Sequence, residues 1–356
     1  MLSRGGSIFR VVSVCLAGAL LLGVLGGSGG PAGVQAAPAR LVYFIFTGFN
    51  YPYFAPMADG VRATAKLYPG MTIKVVSANN SSSTEISQVN EAIAAGAKGI
   101  ILNPISASLT SVSQSAVAKG IPVVAIDRDV ATPAARNVFI GDRDVTLGKI
   151  ETDYALKYLE SHRVKTPWNV AILQGTLGAS TAVDRVKGTM QALDPAVKSG
   201  KVKIVLNQSA DFATAAAQRT ISELLAKSTN VQLIVCGNDA MALGAIRAIK
   251  DHGLAPGKDV YVVGADAQPQ SLAAIKDGEQ LDTVTHSPFL EAVWAVEAMD
   301  NYLNGVKPPA DKYPNGDVII PMTLVTKENV SSISDWGTPQ LIPPLPYGRG
   351  KPVRAR

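Results

Sequence analysis

Cysteine is nearly missing from this 356-residue chain: there are two, Cys15 and Cys236. Cys15 lies in the first apolar run, so Cys236 stands alone in the rest. That excludes a disulfide framework and a cysteine-built metal cluster. Histidine is scarce as well, and His162, His252 and His286 show no spacing of a metal-binding pair. No G-x-S-x-G elbow and no P-loop is present. Charged residues make up 17% against 47% hydrophobic, which excludes a disordered chain and supplies a large core. Glycine and proline show no G-X-Y period, which excludes collagen. The length allows two or three domains.

The formal charge of +5 is unevenly spread. Arg4 and Arg10 lead the chain, and Arg349, Lys351, Arg354 and Arg356 crowd its end; removing these six cations from +5 leaves −1. The body is thus near neutral, and nothing points to nucleic acid as a partner.

The two ends differ from the body. Arg4 and Arg10 precede an apolar run from Val11 to Leu25, a Gly-rich stretch and the small-x-small site Val34-Gln35-Ala36. Residues 1–36 are expected to be a signal peptide cleaved before Ala37. The run of about 15 apolar residues falls short of the ~20 that span a bilayer. At the far end, Pro339, Pro343, Pro344 and Pro346 break any helix before the basic residues. Residues 336–356 are expected to be a poorly ordered tail.

Between these ends, β-branched runs alternate with helical patterns. Strands are expected at Leu41–Phe46, Thr72–Ser77, Gly99–Leu102, Ile121–Ile126 and Asn137–Ile140. A second five follow at Asn169–Gln174, Val202–Asn207, Val231–Cys236, Asp259–Gly264 and Leu281–Thr285. Most are continuously apolar, as strands covered on both faces are. Ile86, Val89 and Ile93 carry a helical period, as do Val183, Val186, Met190 and Leu193. The pattern implies an α/β fold with parallel sheet, and five strands on each side of Gly141 imply two similar lobes.

In open parallel sheets, ligands bind beyond the carboxyl ends of the strands. Those ends carry Thr47 through Phe54, Asn103-Pro104, Asp127-Arg128, Gly175-Thr176-Leu177-Gly178, Asn238-Asp239 and Ala265-Asp266, with Asp184-Arg185 just beyond one of them. Carboxylates and guanidinium groups clamp vicinal hydroxyls, Asn donates and accepts, and Tyr or Phe covers the C–H face of a sugar ring. A cleft that holds a small polyhydroxylated molecule needs this set. Of the pair Asn238-Asp239, Asp239 is expected to cap the following helix and Asn238 to face the ligand. Trp168, Trp294 and Trp336 are read as packing.

The order Pro52-Tyr53-Phe54, Asn103-Pro104, Ile121 to Arg128, Gln174-Gly175, Asp184-Arg185, Asn238 to Gly244 and Val263 to Asp266 resembles the periplasmic sugar-binding proteins of ABC importers, in their ribose-binding-like branch. The match runs from about Arg40 to Lys327. It implies a type 1 periplasmic binding protein: an α/β fold of two Rossmann-like lobes with parallel sheets, joined by a three-crossover hinge. The crossovers fall near Ile140–Gly141, His286 and Pro321–Thr323. The lobes comprise residues 37–140 with 287–321, and 141–286 with 322–335. The resemblance makes Thr47, Tyr51, Tyr53, Phe54, Asn103, Asp127, Arg128, Arg185, Asn238, Asp266 and His286 the ligand-binding set. Phe54 matches a stacking position. Three departures mark a ligand of different shape from ribose: Tyr51 for the family's Asn, Ala265 for a Phe that walls the ring, and His286 for a hinge Gln.

The function implied is capture of a monosaccharide or polyol outside the cytoplasm by a monomer. Delivery is to a membrane permease and its ATPase subunits, with no cofactor, no metal and no chemistry on the ligand. The alternative with the same fold is a sensor that docks on a chemoreceptor or a sensor kinase. A sugar-modifying enzyme would need paired carboxylates, which Asp127 and Asp266 could supply, but Arg128 beside Asp127 favours the ionised, binding form. A sugar-responsive repressor needs a DNA-binding helix-turn-helix where this chain has its leader.

Overall fold

The computed structural model describes residues 39–355. The expected signal peptide lies outside the described residues. Strands and helices alternate through the first half as β1 (Arg40–Phe46), α1 (Phe54–Ala65), β2 (Met71–Ser77), α2 (Ser82–Ala94), β3 (Gly99–Asn103), α3 (Thr110–Ala118), β4 (Val123–Ile126) and β5 (Val138–Gly141). The second half repeats the plan. It runs through α4 (Asp144–Ser161), β6 (Trp168–Gln174), α5 (Ser180–Lys198), β7 (Val202–Ser209), α6 (Thr214–Lys227), β8 (Leu233–Cys236), α7 (Asp239–Asp251), β9 (Tyr261–Val263), α8 (Pro269–Asp277) and β10 (Asp282–Val284). Then come α9 (Pro288–Leu303), β11 (Asp317–Ile319), β12 (Leu324–Thr326) and a short ladder of β13 (Leu341–Ile342) with β14 (Val353–Arg354).

All ten expected strands form, at slightly shifted bounds. They assemble into two sheets of six, ordered β2-β1-β3-β4-β5-β11 and β7-β6-β8-β9-β10-β12. The sixth strand of each was not expected. β11 and β12 are three residues long, and too short a run carries no period. β11 runs parallel to β5, whereas β12 runs antiparallel to β10. Every residue of β3, β4, β5 and β8 is buried, as helices on both faces require. The edge strands β2 and β7 are half-exposed.

Three segments pass between the sheets: Gly141 to Asp144, Thr285 to Pro288, and Ile320 to Thr323. They brace one another. Ile320 N–H donates to Gly141 C=O (3.0 Å), and Thr285 N–H donates to Thr323 C=O (2.9 Å).

The tail departs from expectation. Residues 336–355, read as poorly ordered, are packed onto α9. Trp294 Nε1 donates to Pro343 C=O (2.9 Å), and Glu297 accepts from the backbone N–H of Leu345 (2.6 Å) and Lys351 (2.8 Å). Leu345, Tyr347 and Val353 are buried. Proline excludes a helix here, but not an extended chain whose amides find acceptors on a neighbouring helix.

Candidate functional site

A cavity lies between the two sheets' carboxyl ends. Its walls are Tyr51, Tyr53, Phe54, Asp127 and Arg128 on the first lobe and Thr181, Arg185, Phe212, Asn238 and Asp266 on the second, with His286 at the hinge. The enclosed space is small, about 30 Å³, so the two walls stand close together here. The rims of the two lobes touch beside it. Ala107 N–H donates to Gly178 C=O (3.1 Å), Asp129 N–H to Ser180 Oγ (2.8 Å), and Tyr51 Oη to Asp211 Oδ2 (3.3 Å).

The two lobes supply matching groups. Asp127 follows β4 and Asp266 follows β9. Both hold left-handed backbone, at φ 62° and 109°. A non-glycine residue held there costs on the order of 1 kcal/mol or more, and such strain concentrates at functional sites. Asn103 at the end of β3 and Asn238 after β8 form a second such pair.

Nine of the eleven expected residues line the cavity; Thr47 and Asn103 stand one layer behind it, fully buried. Asn103 Nδ2 donates to Asp127 Oδ2 (2.7 Å), and Thr47 Oγ1 donates to Asn103 Oδ1 (2.8 Å). They hold the Asp127 carboxylate from behind the cavity wall. Of the expectations for Asn238 and Asp239, the cap is the one that differs. Asn238 caps α7, its Oδ1 accepting from Met241 N–H (3.0 Å), while its residue still borders the cavity. Asp239 is fully buried and accepts from Gln268 N–H (2.8 Å), Gln280 Nε2 (2.8 Å) and Thr283 Oγ1 (3.0 Å).

Sequence reasoning missed two lining residues, Thr181 and Phe212. Phe212 corrects the inference drawn from Ala265. The second lobe has its aromatic wall, supplied from the end of β7 rather than the end of β9. The Arg128 guanidinium lies between that ring, at 5.4 Å, and Phe54, at 5.7 Å. The signal was available, since Asp211-Phe212 follows a strand end like the other site residues.

Arg185 is held more firmly than a free ligand contact would be. Its Nε donates to Asp144 Oδ1 (2.7 Å), and its Nη1 donates to Gly237 C=O (2.8 Å) and Asp266 Oδ1 (3.1 Å). It sits on α5, which meets α4 across two glycines. A Cβ on Gly188 would stand 2.0 Å from Val145 O, and one on Gly148 would stand 2.1 Å from Arg185 O.

His286 collects carboxylates. Its Nε2 is 2.9 Å from Glu291 Oε1, 3.5 Å from Asp127 Oδ1 and 3.6 Å from Asp142 Oδ2. Its Nδ1 stands 3.2 Å from Asp266 Oδ1, an acceptor, and 2.9 Å from Arg185 Nη2, a donor. Nε2 therefore carries a proton, while the one on Nδ1 is contested. Burial disfavours the imidazolium, but Glu291, Asp142 and the hydrogen bonds outweigh it and hold the ring well above its ordinary pKa. Burial pushes Asp142 up strongly and Glu291 to about 7, each opposed by His286. Asp127, His286 and Glu291 are the groups close enough to share a cation. The direct Nε2–Glu291 bond already joins two of them, while Asp127 is held by Asn103.

The comparisons agree with this architecture. A family model described as a periplasmic binding protein domain matches residues 42–307. The ribose import binding protein RbsB of Bacillus subtilis is 33% identical over 259 residues, covering 72% of this chain and 80% of that protein. A solved galactofuranose-binding protein superimposes with a TM-score of 0.74 at 27% identity, over 82% of this chain and 96% of its own. A solute-binding protein from Bacillus halodurans, solved with bound myo-inositol, gives 0.75 at 26% identity over 84% and 98%. The chain belongs to the periplasmic binding protein family. It is an extracytoplasmic solute-binding protein of the ABC-importer type, and not an enzyme.

Proposed function

We propose that this protein captures a neutral monosaccharide, polyol or cyclitol between its lobes and hands it to an ABC permease. One observation carries this reading. Two lobes present matched Asp–Arg–Asn–aromatic sets to one cavity between them. Asp127 and Asp266 accept from hydroxyls, Arg128 and Asn238 donate, and Phe54 and Phe212 offer ring faces. Charge favours a neutral ligand. The cations Arg128, Arg185 and His286 are already matched by Asp127, Asp144 and Asp266, so a sugar acid or sugar phosphate would compete with carboxylates already in place.

The relatives reported above favour import over sensing, because the ribose protein is named for import. We place the protein as a monomer outside the membrane, exported by a leader cleaved before Ala37. Its partners are the permease and ATPase subunits. Ligand stabilises the closed form because only there do both lobes contact it.

The test is thermal unfolding against pentoses, hexoses, polyols, cyclitols and hexuronates at about 1 mM. A ligand with a dissociation constant of ~1 μM adds about 4 kcal/mol, a shift of several degrees. Asp127→Asn keeps a residue type that tolerates left-handed backbone and removes the carboxylate. The expected result is a shift with one neutral class, none with hexuronates, and none in Asp127→Asn. A shift of equal size in that variant would sink the site assignment.

A further inference from the structure

The chain crosses between the lobes a fourth time. After β12, Val330 and Ile333 pack with Ala267, Leu272, Ile275 and Val325 of the second lobe. The segment that follows lies on α9, which packs against α1, β3, β4 and β5 of the first. Trp336 sits at the transfer. Its backbone N–H donates to Ala267 C=O (2.7 Å), next to the cavity residue Asp266. Its ring meets the ring of Tyr53, a first-lobe cavity residue, edge-on at 5.7 Å. Trp336 adopts left-handed backbone at φ 60°, and Gly337 follows at φ 61° with no room for a side chain: a Cβ there would stand 2.5 Å from Thr285 Cβ. A non-glycine residue keeps such a conformation only where its surroundings over-determine it.

We infer that residues 334–355 are a fourth connection between the lobes, and that Trp336 is a positioning residue that latches the cleft closed without touching the ligand. Opening about the three crossovers moves Tyr53 relative to Ala267. Trp336 is joined to both, so opening must break one of the two contacts. The segment's bonds to Trp294, Glu297 and Asn301 stay within the first lobe and do not oppose opening. The closed form therefore holds an interaction that the open form lacks, and the equilibrium shifts toward closure. In the closed form the same contact keeps Tyr53 4.8 Å from the His286 ring, with its hydroxyl donating to Glu291 Oε2 (2.9 Å).

The inference rests on the reading that the lobes open and close, but its test needs no ligand. Phe49 and Leu177 are exposed, one on each lobe, in the loops after β1 and β6. Spin labels at Phe49→Cys and Leu177→Cys in the chain from Ala37 onward, where the remaining Cys236 is buried, report the width of the cleft. Trp336→Ala is expected to raise the open-to-closed ratio at least threefold over the parent, and Trp336→Phe to restore most of it. Gly337→Ala, which displaces the segment from Thr285, should act like Trp336→Ala and serves if the latter fails to fold. Identical distance distributions in the parent and both disrupting variants would overturn the inference, whatever the sugar panel shows.

Discussion

Phe212 shows what a single residue does in this site and why its role was hard to read. The sequence reading sought the second ring wall directly after β9, found Ala265, and concluded that the wall was lost. The fold brings the end of β7 to the same cleft, and Phe212 there is buried at 6% exposure. Sheet order, which no local pattern reveals, decided the matter. Phe212→Ala removes that face and leaves the hydroxyl clamps. Losing the burial of one aromatic side chain corresponds to about 2 kcal/mol, or a dissociation constant raised about 30-fold. Calorimetric titration with the best ligand of the panel would measure it, and a change below threefold would show that the ring does not stack on ligand. The charged residues were easier to read. Asp127, Arg128, Asp266 and Arg185 all belong to the cavity, because ions just past apolar strands have few other places to go. Asn238 rather than Asp239 caps α7 because the chain turns one residue earlier than the pattern suggests. Local spacing does not fix such detail.

At the scale of elements, periodicity revealed α4 and α5 but not how closely they meet. Gly148 and Gly188 are poor helix formers, costing about 1 kcal/mol each relative to alanine, and they make sense only where two backbones nearly touch. That contact sets the position of Arg185. Gly188→Ala would gain helix propensity and still lose stability, since the new Cβ would lie 2.0 Å from Val145 O. Overpacking of this kind costs ~1–3 kcal/mol. The expected outcome is a melting temperature lowered by several degrees, with weaker ligand binding as Arg185 shifts. A melting temperature raised by the added propensity would show that the helices can part without cost. The C-terminal segment failed the sequence reading for the same reason. Its prolines and cations describe a chain that cannot form helix, while its order comes from partners on α9, more than forty residues away.

At the scale of the molecule, the two lobes were legible, because the alternation of strand and helix and the polar strand ends repeat across the chain. The proton inventory was not. His286, Asp142, Glu291 and Asp127 come from separate segments that only the finished hinge brings together, and Glu85 and Asp239 are buried elsewhere. Burial pushes Glu85 up to about 8 and Asp239 to about 8, Glu291 to about 7, and Asp142 well above the carboxylate range. His286 is raised too. In every case the folded state holds a proton more tightly than the unfolded chain. Each group's contribution to stability is therefore complete below its unfolded pKa and is lost as pH rises through its folded value. The window runs from about pH 5 to about pH 8. Stability should fall across it, by about 1.4 kcal/mol per pH unit for each proton taken up on folding. Exposed pairs such as Lys74–Glu91 and Lys201–Glu160 lower their carboxylates, act below this window, and do not reverse the trend. Glu85→Gln isolates one contribution. Its amide oxygen can still accept from Ile105 N–H, as Glu85 Oε2 does at 2.9 Å, but it holds no titrating proton. Urea unfolding at pH 5, 6.5 and 8 should show a shallower decline in Glu85→Gln than in the parent, with the variant ahead at pH 8 and nearly level at pH 5. A parent whose stability rises from pH 5 to 8 would mean that the buried carboxylates are ionised and paired in the native protein.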